Sequence, residues 1–219
     1  MEFSRYIEHT LLKPCTYEEL KRHCQDAMHY NFYGVCVFPS QVKSAKELLR
    51  GSGVKVVTVT GFPTGEQSAE TKAFETRQAV ADGADEIDTV LSLSNAKRGN
   101  WAEAERELAL VVGAAGNKPV KVILETCLLT EEQIVLACQA AMHAGAKFVK
   151  TSTGFSKGGA TAEAVRLMRQ TVGTALGVKA SGGIRSYAEA QRMIEAGANR
   201  LGVSCGKEIY EEYLKTLTK

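Results

Sequence analysis

Eight short apolar runs rich in β-branched residues recur along the chain, and the segments between them have the apolar periodicity of helices. The runs begin 22 to 34 residues apart, which leaves room for one helix between successive parallel strands. They predict eight strands, at Ile7–Thr10, Gly34–Val37, Val56–Val59, Glu86–Leu91, Val120–Glu125, Phe148–Ser152, Val178–Ser181 and Arg200–Ser204.

An internal repeat supports this count of strands. Gly83-Ala84, Gly145-Ala146 and Gly197-Ala198 each end a helical pattern and lead into a strand. Eight parallel strands could form an open doubly wound sheet or a closed barrel. Closure is favoured because the units look alike and no edge strand is polar or broken. We therefore predict an α/β fold: a single (β/α)8 TIM barrel over residues 1–219, with a short N-terminal helical segment.

Composition excludes several classes of protein. The net charge is +2 and no basic run is present, so the chain does not resemble a nucleic-acid-binding protein. No apolar run approaches the 18 residues of a membrane-spanning helix, and no signal region precedes Tyr6. The six cysteines contain no C-x-x-C pair, which predicts free thiols and a cytoplasmic location.

Two lysines lie inside predicted strands, which is unusual. Lys150 is in the sixth strand and Lys179 is in the seventh, so their side chains would be close neighbours. A barrel interior is dry, and two ammonium groups there would repel each other, which favours a neutral amine that can form an imine. Either lysine alone could instead be a salt-bridged or snorkelling strand-end residue. The pair together favours imine chemistry.

Other polar residues of the strands are candidates for the same site. Asp88 is predicted to pair with a buried cation or to transfer protons. Lys121 and Glu125 share a face of the fifth strand and are interpreted as an ion pair or as rim residues. Glu8 and two possible pocket residues, Thr10 and Cys36, could line the barrel mouth.

Glycine-rich loops follow the last two strands and predict a phosphate site. TIM barrels commonly bind phosphate at these loops through backbone N–H groups. The candidate residues are Gly182 and Gly183 after the seventh strand and Gly202 and Ser204 at the eighth. Thr151 would add a hydroxyl near Lys150.

A metal or nicotinamide mechanism is not expected. The four histidines have neither H-x-x-x-H nor HExxH spacing, and no G-x-G-x-x-G fingerprint is present. We predict that the protein needs no cofactor and no metal.

The ordered motifs resemble the deoxyribose-phosphate aldolase family nearly end to end. They lie at Ile7–Pro14, Val35–Val37, Thr60–Pro63, Ala84–Asp88, Glu125–Thr130, Phe148–Phe155, Gly158–Thr161 and Val178–Arg185. The resemblance implies reversible cleavage of 2-deoxy-D-ribose 5-phosphate to D-glyceraldehyde 3-phosphate and acetaldehyde. It implies that Lys150 forms the Schiff base and that Lys179 and Asp88 transfer protons. The implied partners are the small phosphosugar and acetaldehyde, and the implied assembly is a homodimer.

Four positions depart from the family pattern. Glu8 stands where Asp is usual, and Val203 stands where a threonine would offer a hydroxyl near the phosphate. Thr64 and Thr89 occupy positions where larger apolar residues are common. Two other functions remain open from the sequence: a different phosphosugar barrel enzyme, such as a transaldolase-like transferase, or a silent barrel that only binds a phosphorylated ligand.

Overall fold

Eight parallel strands form a closed barrel in chain order. The structure, a computed structural model, describes residues 2–218, and Met1 and Lys219, the ends of the predicted domain, lie outside the described residues. The strands are β1 (Ile7–Leu11), β2 (Gly34–Val37), β3 (Lys55–Thr60), β4 (Glu86–Val90), β5 (Val120–Ile123), β6 (Phe148–Lys150), β7 (Gly177–Ser181) and β8 (Arg200–Val203). Because β8 pairs with β1, the sheet has no edge. The predicted (β/α)8 barrel is confirmed, and the open sheet is excluded.

Helices surround the barrel and connect successive strands. Within residues 2–218 they are α1 (Tyr17–His29), α2 (Val42–Leu48), α3 (Ala69–Ala81), α4 (Leu93–Lys97), α5 (Trp101–Ala115), α6 (Glu131–His143), α7 (Ala162–Val172), α8 (Tyr187–Glu195) and α9 (Gly206–Leu217). A 3-10 turn at Phe3–Tyr6 is the predicted short N-terminal helical segment. None of the helices between residues 2 and 218 has the length and apolarity that crossing a membrane requires.

Local sequence signals determine where the helices begin and where the loops turn. Thr130 and Ser186 each form a capping box, in which the side chain accepts from the backbone N–H three residues on. The glycines at 83, 145 and 197 have φ values of 106°, 83° and 111°, which a side chain would resist. These features separate each helix from the strand that follows it.

Four predicted strands are shorter in the structure, and the eighth strand ends one residue early, at Val203. β4 ends at Val90, β5 ends at Ile123 and β6 ends at Lys150. The last two end early because Glu125 turns the chain with a φ of 55°, and the residues after Lys150 already belong to a loop. The carboxyl end of β6 therefore places Lys150 next to its loop rather than in the middle of a strand.

The apolar core lies between the strands and the helices. Each strand contributes a fully or nearly fully buried apolar residue to it, and these are Ile7, Val35, Val56, Ile87, Val122, Val149, Val178 and Leu201. Side chains alternate along a strand, so the neighbours of these residues point into the barrel. In the register, Asp88 pairs with Lys121 and Lys150 pairs with Lys179. The apolar exterior of the barrel thus directs charged residues to its interior.

Candidate active site

Asp88 lies at the centre of a buried cluster of lysines. Its Oδ1 accepts a hydrogen bond from Lys121 Nζ at 2.8 Å. Its Oδ2 accepts from Lys150 Nζ at 2.8 Å and from Lys179 Nζ at 2.7 Å. The two predicted reactive lysines therefore share one carboxylate oxygen, which places both amines in the same site.

Two further carboxylates and one arginine extend the cluster toward the amino ends of the strands. Glu8 forms ion pairs with Lys179, with Lys121 at 3.4 Å and with Arg200 at 3.0 Å. Glu86 pairs with Lys121 at 2.7 Å and accepts a hydrogen bond from the Tyr33 hydroxyl. The extra methylene of Glu8 relative to aspartate is thus used within a buried pair. We refer to Glu8, Glu86, Asp88, Lys121, Lys150, Lys179 and Arg200 together as the interior charge network.

Mutual attraction, rather than repulsion, dominates the charges of this network. Burial alone raises the pKa of Asp88, but the three lysines outweigh it and hold that pKa well below its usual range. Burial alone lowers the pKa of Lys179, yet Asp88 and Glu8 together raise it above its usual value. The expectation that close ammonium groups would lower each other's pKa is therefore wrong for Lys179, because the carboxylates of Asp88 and Glu8 contact its ammonium group directly.

Lys150 differs from the other two lysines of the network in its partners and its access. Lys121 has three carboxylate partners and Lys179 has two, whereas within residues 2–218 Lys150 forms an ion pair with Asp88 alone. The network contains four cations and three carboxylates, so a neutral Lys150 balances its charge and breaks the fewest ion pairs. Lys121 and Lys179 have no exposed surface, whereas Lys150 keeps 3% and lines a cavity.

This cavity, of about 500 Å³, opens at the carboxyl ends of the strands. It brings together five predicted residues besides Lys150, and these are Thr10, Gly182, Gly183, Gly202 and Ser204. Gly182 and Gly183 have φ values of 85° and 80°, so their backbone conformation requires glycine. The predicted phosphate loops therefore border the same space as Lys150.

Two predicted pocket residues lie elsewhere. Cys36 has no exposed surface and packs inside the barrel with Leu12, Val57 and Val59, where burial raises the pKa of its thiol to about 11. The Thr151 hydroxyl bridges the Ser181 backbone, accepting from its N–H and donating to its carbonyl, both at 3.0 Å. Neither side chain reaches the cavity wall, because each is used inside the fold.

The family departures have different outcomes. Val203 lines the cavity, so the hydroxyl that a threonine would offer is absent from its wall. Thr64 is exposed and Thr89 is buried, and neither lines the cavity. Thr89 Oγ1 has no hydrogen-bond partner.

Sequence reasoning did not assign Lys121 or Arg200 to the interior charge network. Lys121 was interpreted as a partner of Glu125 or a rim residue, but it contacts Asp88, Glu86 and Glu8 instead. Strand alternation could have shown this, because Lys121 lies opposite Asp88 in the neighbouring strand. Arg200 was missed because nothing in the sequence shows that its side chain pairs with Glu8 inside the barrel.

His23, a cavity residue, was missed because its helix gives no sign that this side chain points toward the strand ends. Among residues 2–218, no group of three or more His, Cys, Asp or Glu side chains is arranged to hold a metal ion.

Comparisons with known proteins agree with this geometry. The model of the DeoC/LacD family aldolases matches residues 3–212. Deoxyribose-phosphate aldolase of Streptococcus gordonii is 57% identical over 210 residues, which cover 95% of this chain and 96% of that protein.

Solved structures give the same result. An aldolase called QR15 has a TM-score of 0.94 and 40% identity, covering 100% of this chain and 98% of its own. The tetrameric deoxyribose phosphate aldolase of Aeropyrum pernix has a TM-score of 0.91 and 32% identity, covering 98% and 92%. The protein described here is therefore a member of the DeoC/LacD aldolase family.

Proposed function

We propose that the protein is a deoxyribose-phosphate aldolase, which cleaves 2-deoxy-D-ribose 5-phosphate to D-glyceraldehyde 3-phosphate and acetaldehyde. One observation carries the proposal: the Lys150 amine reaches the cavity while it is bonded to Asp88, whose same oxygen also holds the Lys179 amine. The name and the 57% identity of the S. gordonii relative support this substrate.

The reaction uses Lys150 as a nucleophile. In the cleavage direction, its neutral amine attacks the aldehyde carbon of the open-chain sugar and water is lost, leaving an imine. Removal of the C3 hydroxyl proton breaks the C2–C3 bond, releases glyceraldehyde 3-phosphate and leaves an enamine on Lys150. Protonation of the enamine carbon and uptake of one water release acetaldehyde and restore the amine.

Asp88 and Lys179 are the proposed proton carriers. Their hydrogen bond of 2.7 Å joins an acceptor and a donor directly beside the Lys150 amine. The raised pKa of Lys179 keeps this group cationic, so that it stabilises negative charge that develops on the substrate.

The phosphate is proposed to bind at Gly182, Gly183, Gly202 and Ser204. Glycine lets a backbone N–H approach phosphate oxygens closely, and α9 begins at Gly206, directly after this loop. The side chains of Lys13 and Arg185 also line the cavity and add positive charge at its mouth. The sugar would then extend from these loops toward Lys150.

Borohydride trapping tests the imine. Incubation with acetaldehyde and borohydride should add one ethyl group to Lys150, as located by peptide mass spectrometry, and Lys150→Ala should abolish both the adduct and the cleavage of deoxyribose 5-phosphate. The matched control is Lys147→Ala, which removes an exposed lysine just before the same strand and should leave both intact. A Lys150→Ala protein that still cleaves the sugar phosphate would overturn the proposal.

We also propose that the protein is a cytoplasmic homodimer. All six cysteines are free, which suits a reducing compartment. The A. pernix relative is named as a tetramer, so assembly occurs within the family. Light scattering in solution should give twice the 23.7 kDa mass of the chain, and a monomer or tetramer would contradict the dimer.

A further inference from the structure

Glu125 has an unusual backbone conformation beside the strand that carries Lys150. Its φ and ψ are 55° and 59°, and Asn31 is the only other non-glycine residue with positive φ within residues 2–218. A left-handed conformation is unfavourable for a side chain and is retained where surrounding contacts enforce it. Here the flanking residues are fixed: Leu124 N–H donates to the Lys150 carbonyl and Thr126 N–H donates to the Thr151 carbonyl, both at 2.9 Å.

The left-handed turn directs a buried carboxylate toward the loop after β6. Glu125 is 2% exposed, and its two oxygens share the Thr153 backbone N–H at 3.4 and 3.3 Å. It also accepts a hydrogen bond from the Thr153 hydroxyl. Of the residues that the structure describes, none places a cationic nitrogen within 4 Å of this carboxylate. A buried charge without a cation depends on such hydrogen bonds, so Glu125 and Thr153 are closely linked.

Thr153 transmits this contact to the cavity. It lies three residues after Lys150 and lines the cavity with it. Its hydroxyl accepts a hydrogen bond from the Phe155 N–H at 3.1 Å, and Phe155 is also part of the cavity wall. The carboxylate therefore fixes the loop that continues directly from the strand end of Lys150.

We propose that Glu125 is a positioning residue that holds the loop at 151–155, and through it the Lys150 amine, in the geometry that imine formation needs. The inference rests on the proposed reaction at Lys150. It assigns a role in that reaction to a residue outside the interior charge network that has no surface in the cavity wall. Small displacements of a nucleophile lower its reactivity without unfolding the protein.

A double-mutant cycle tests the link to Thr153. Glu125→Gln keeps the shape of the side chain but removes its negative charge, so the amide oxygen accepts more weakly from the N–H and the hydroxyl of Thr153. Thr153→Val removes the hydroxyl that donates to Glu125. We expect each variant to lower kcat, and the rate of borohydride-trappable adduct formation at Lys150, by about tenfold. If Glu125 acts through Thr153, the double variant loses no more kcat than the less active of the two single variants.

A second pair of variants separates positioning from backbone strain. Glu125→Gly and Asn31→Gly both relieve a positive φ, but only the first removes the carboxylate. We expect Asn31→Gly to keep its kcat, whereas Glu125→Gly, which also leaves the Thr153 N–H and hydroxyl without their acceptor, shows a tenfold or greater loss in kcat. If Glu125→Gly does not fold, the double-mutant cycle of Glu125→Gln and Thr153→Val decides the question alone.

The results distinguish this inference from the proposed function. Absence of a Lys150 adduct in the unmodified protein would refute the imine reaction itself. With that adduct present, unchanged kcat in Glu125→Gln, or losses that simply multiply in the double variant, would overturn the positioning role.

Discussion

At the scale of single residues, the stacked pair of His9 and His23 makes the fold sensitive to acid. Their ring centroids are 3.9 Å apart, and His23 Nε2 lies 3.1 Å from the His9 carbonyl oxygen, to which it donates. Burial lowers the pKa of His9 to about 4, and burial together with His9 lowers that of His23 to about 3. Both rings are therefore neutral in the folded protein at pH 7.

Removal of His23 should reduce the loss of stability in acid. A lowered histidine pKa contributes stability that is present above about pH 6.5 and is lost as the pH falls toward the folded value. We expect the unmodified protein to lose roughly 2 to 3 kcal/mol more than His23→Leu between pH 6.5 and 4.5, measured by urea unfolding. The exposed His143→Gln is the control and should follow the unmodified protein. Equal losses in His23→Leu would contradict this assignment.

At the scale of elements, a buried ion pair joins α3 and α5 to the ends of two strands. Lys72 Nζ lies 2.7 Å from Glu107 and donates to the carbonyls of Gly65 and Val90 at 2.5 and 2.9 Å. Glu107 also accepts from the Ser92 N–H at 3.3 Å. The pair thereby fixes the loops after β3 and β4 at the end of the barrel where the cavity opens.

Removing one partner of this ion pair should lower the free energy of unfolding more than replacing both partners. Lys72→Met leaves Glu107 buried without a cation and should lower the free energy of unfolding by about 3 to 5 kcal/mol. Lys72→Met combined with Glu107→Leu should lose clearly less, because no charge remains buried. Arg106→Ala, which breaks an exposed pair with Glu103 on the same helix, should change stability by less than about 1 kcal/mol. Additive losses in chemical denaturation would argue against a coupled pair.

The elements were largely predictable from the sequence, because burial and periodicity determine them together. Residues such as Ile87 and Val122 alternate with charged neighbours, and that alternation predicts a strand with an apolar side against the helices. Lys72 could not be placed in this way. Its helix has charged residues on several sides, and no sequence pattern indicates which of them points inward.

The candidate site was predictable where glycine or lysine interrupts a strand, and less so where contacts cross between strands. Lys150 and Gly182 follow from their positions at strand ends, and Asp88 follows from being a carboxylate inside strand β4. Glu125 does not, because its left-handed turn depends on hydrogen bonds to the neighbouring strand. The sequence predicts Thr151 in the pocket because it follows Lys150, whereas its hydroxyl bonds the Ser181 backbone on the neighbouring strand.

At the scale of the whole molecule, the fold separates apolar packing from charge. The main apolar core lies outside the barrel, with only the small cluster around Cys36 inside it. The interior charge network draws on six of the eight strands: β1, β4, β5, β6, β7 and β8. Only at the carboxyl ends of the strands does this interior reach the cavity, through Lys150. Attraction within the network should therefore determine how the stability of the whole barrel depends on alkaline pH.

Asp88→Asn should change how the free energy of unfolding depends on alkaline pH, so that stability increases as the pH rises. In the unmodified protein the raised pKa of Lys179 gives stability that is complete below about pH 10 and is lost only above it. The variant leaves Lys179 with Glu8 alone, so that burial, which lowers the pKa of Lys179, becomes dominant. The unfolded chain then binds more protons than the folded one between pH 7 and 9.5. The free energy of unfolding should rise by about 1 to 2 kcal/mol over that range in Asp88→Asn and stay level in the unmodified protein. Asp82→Asn, at an exposed pair with Lys43, should also stay level, and urea unfolding curves that run parallel for all three proteins would refute the role of Asp88.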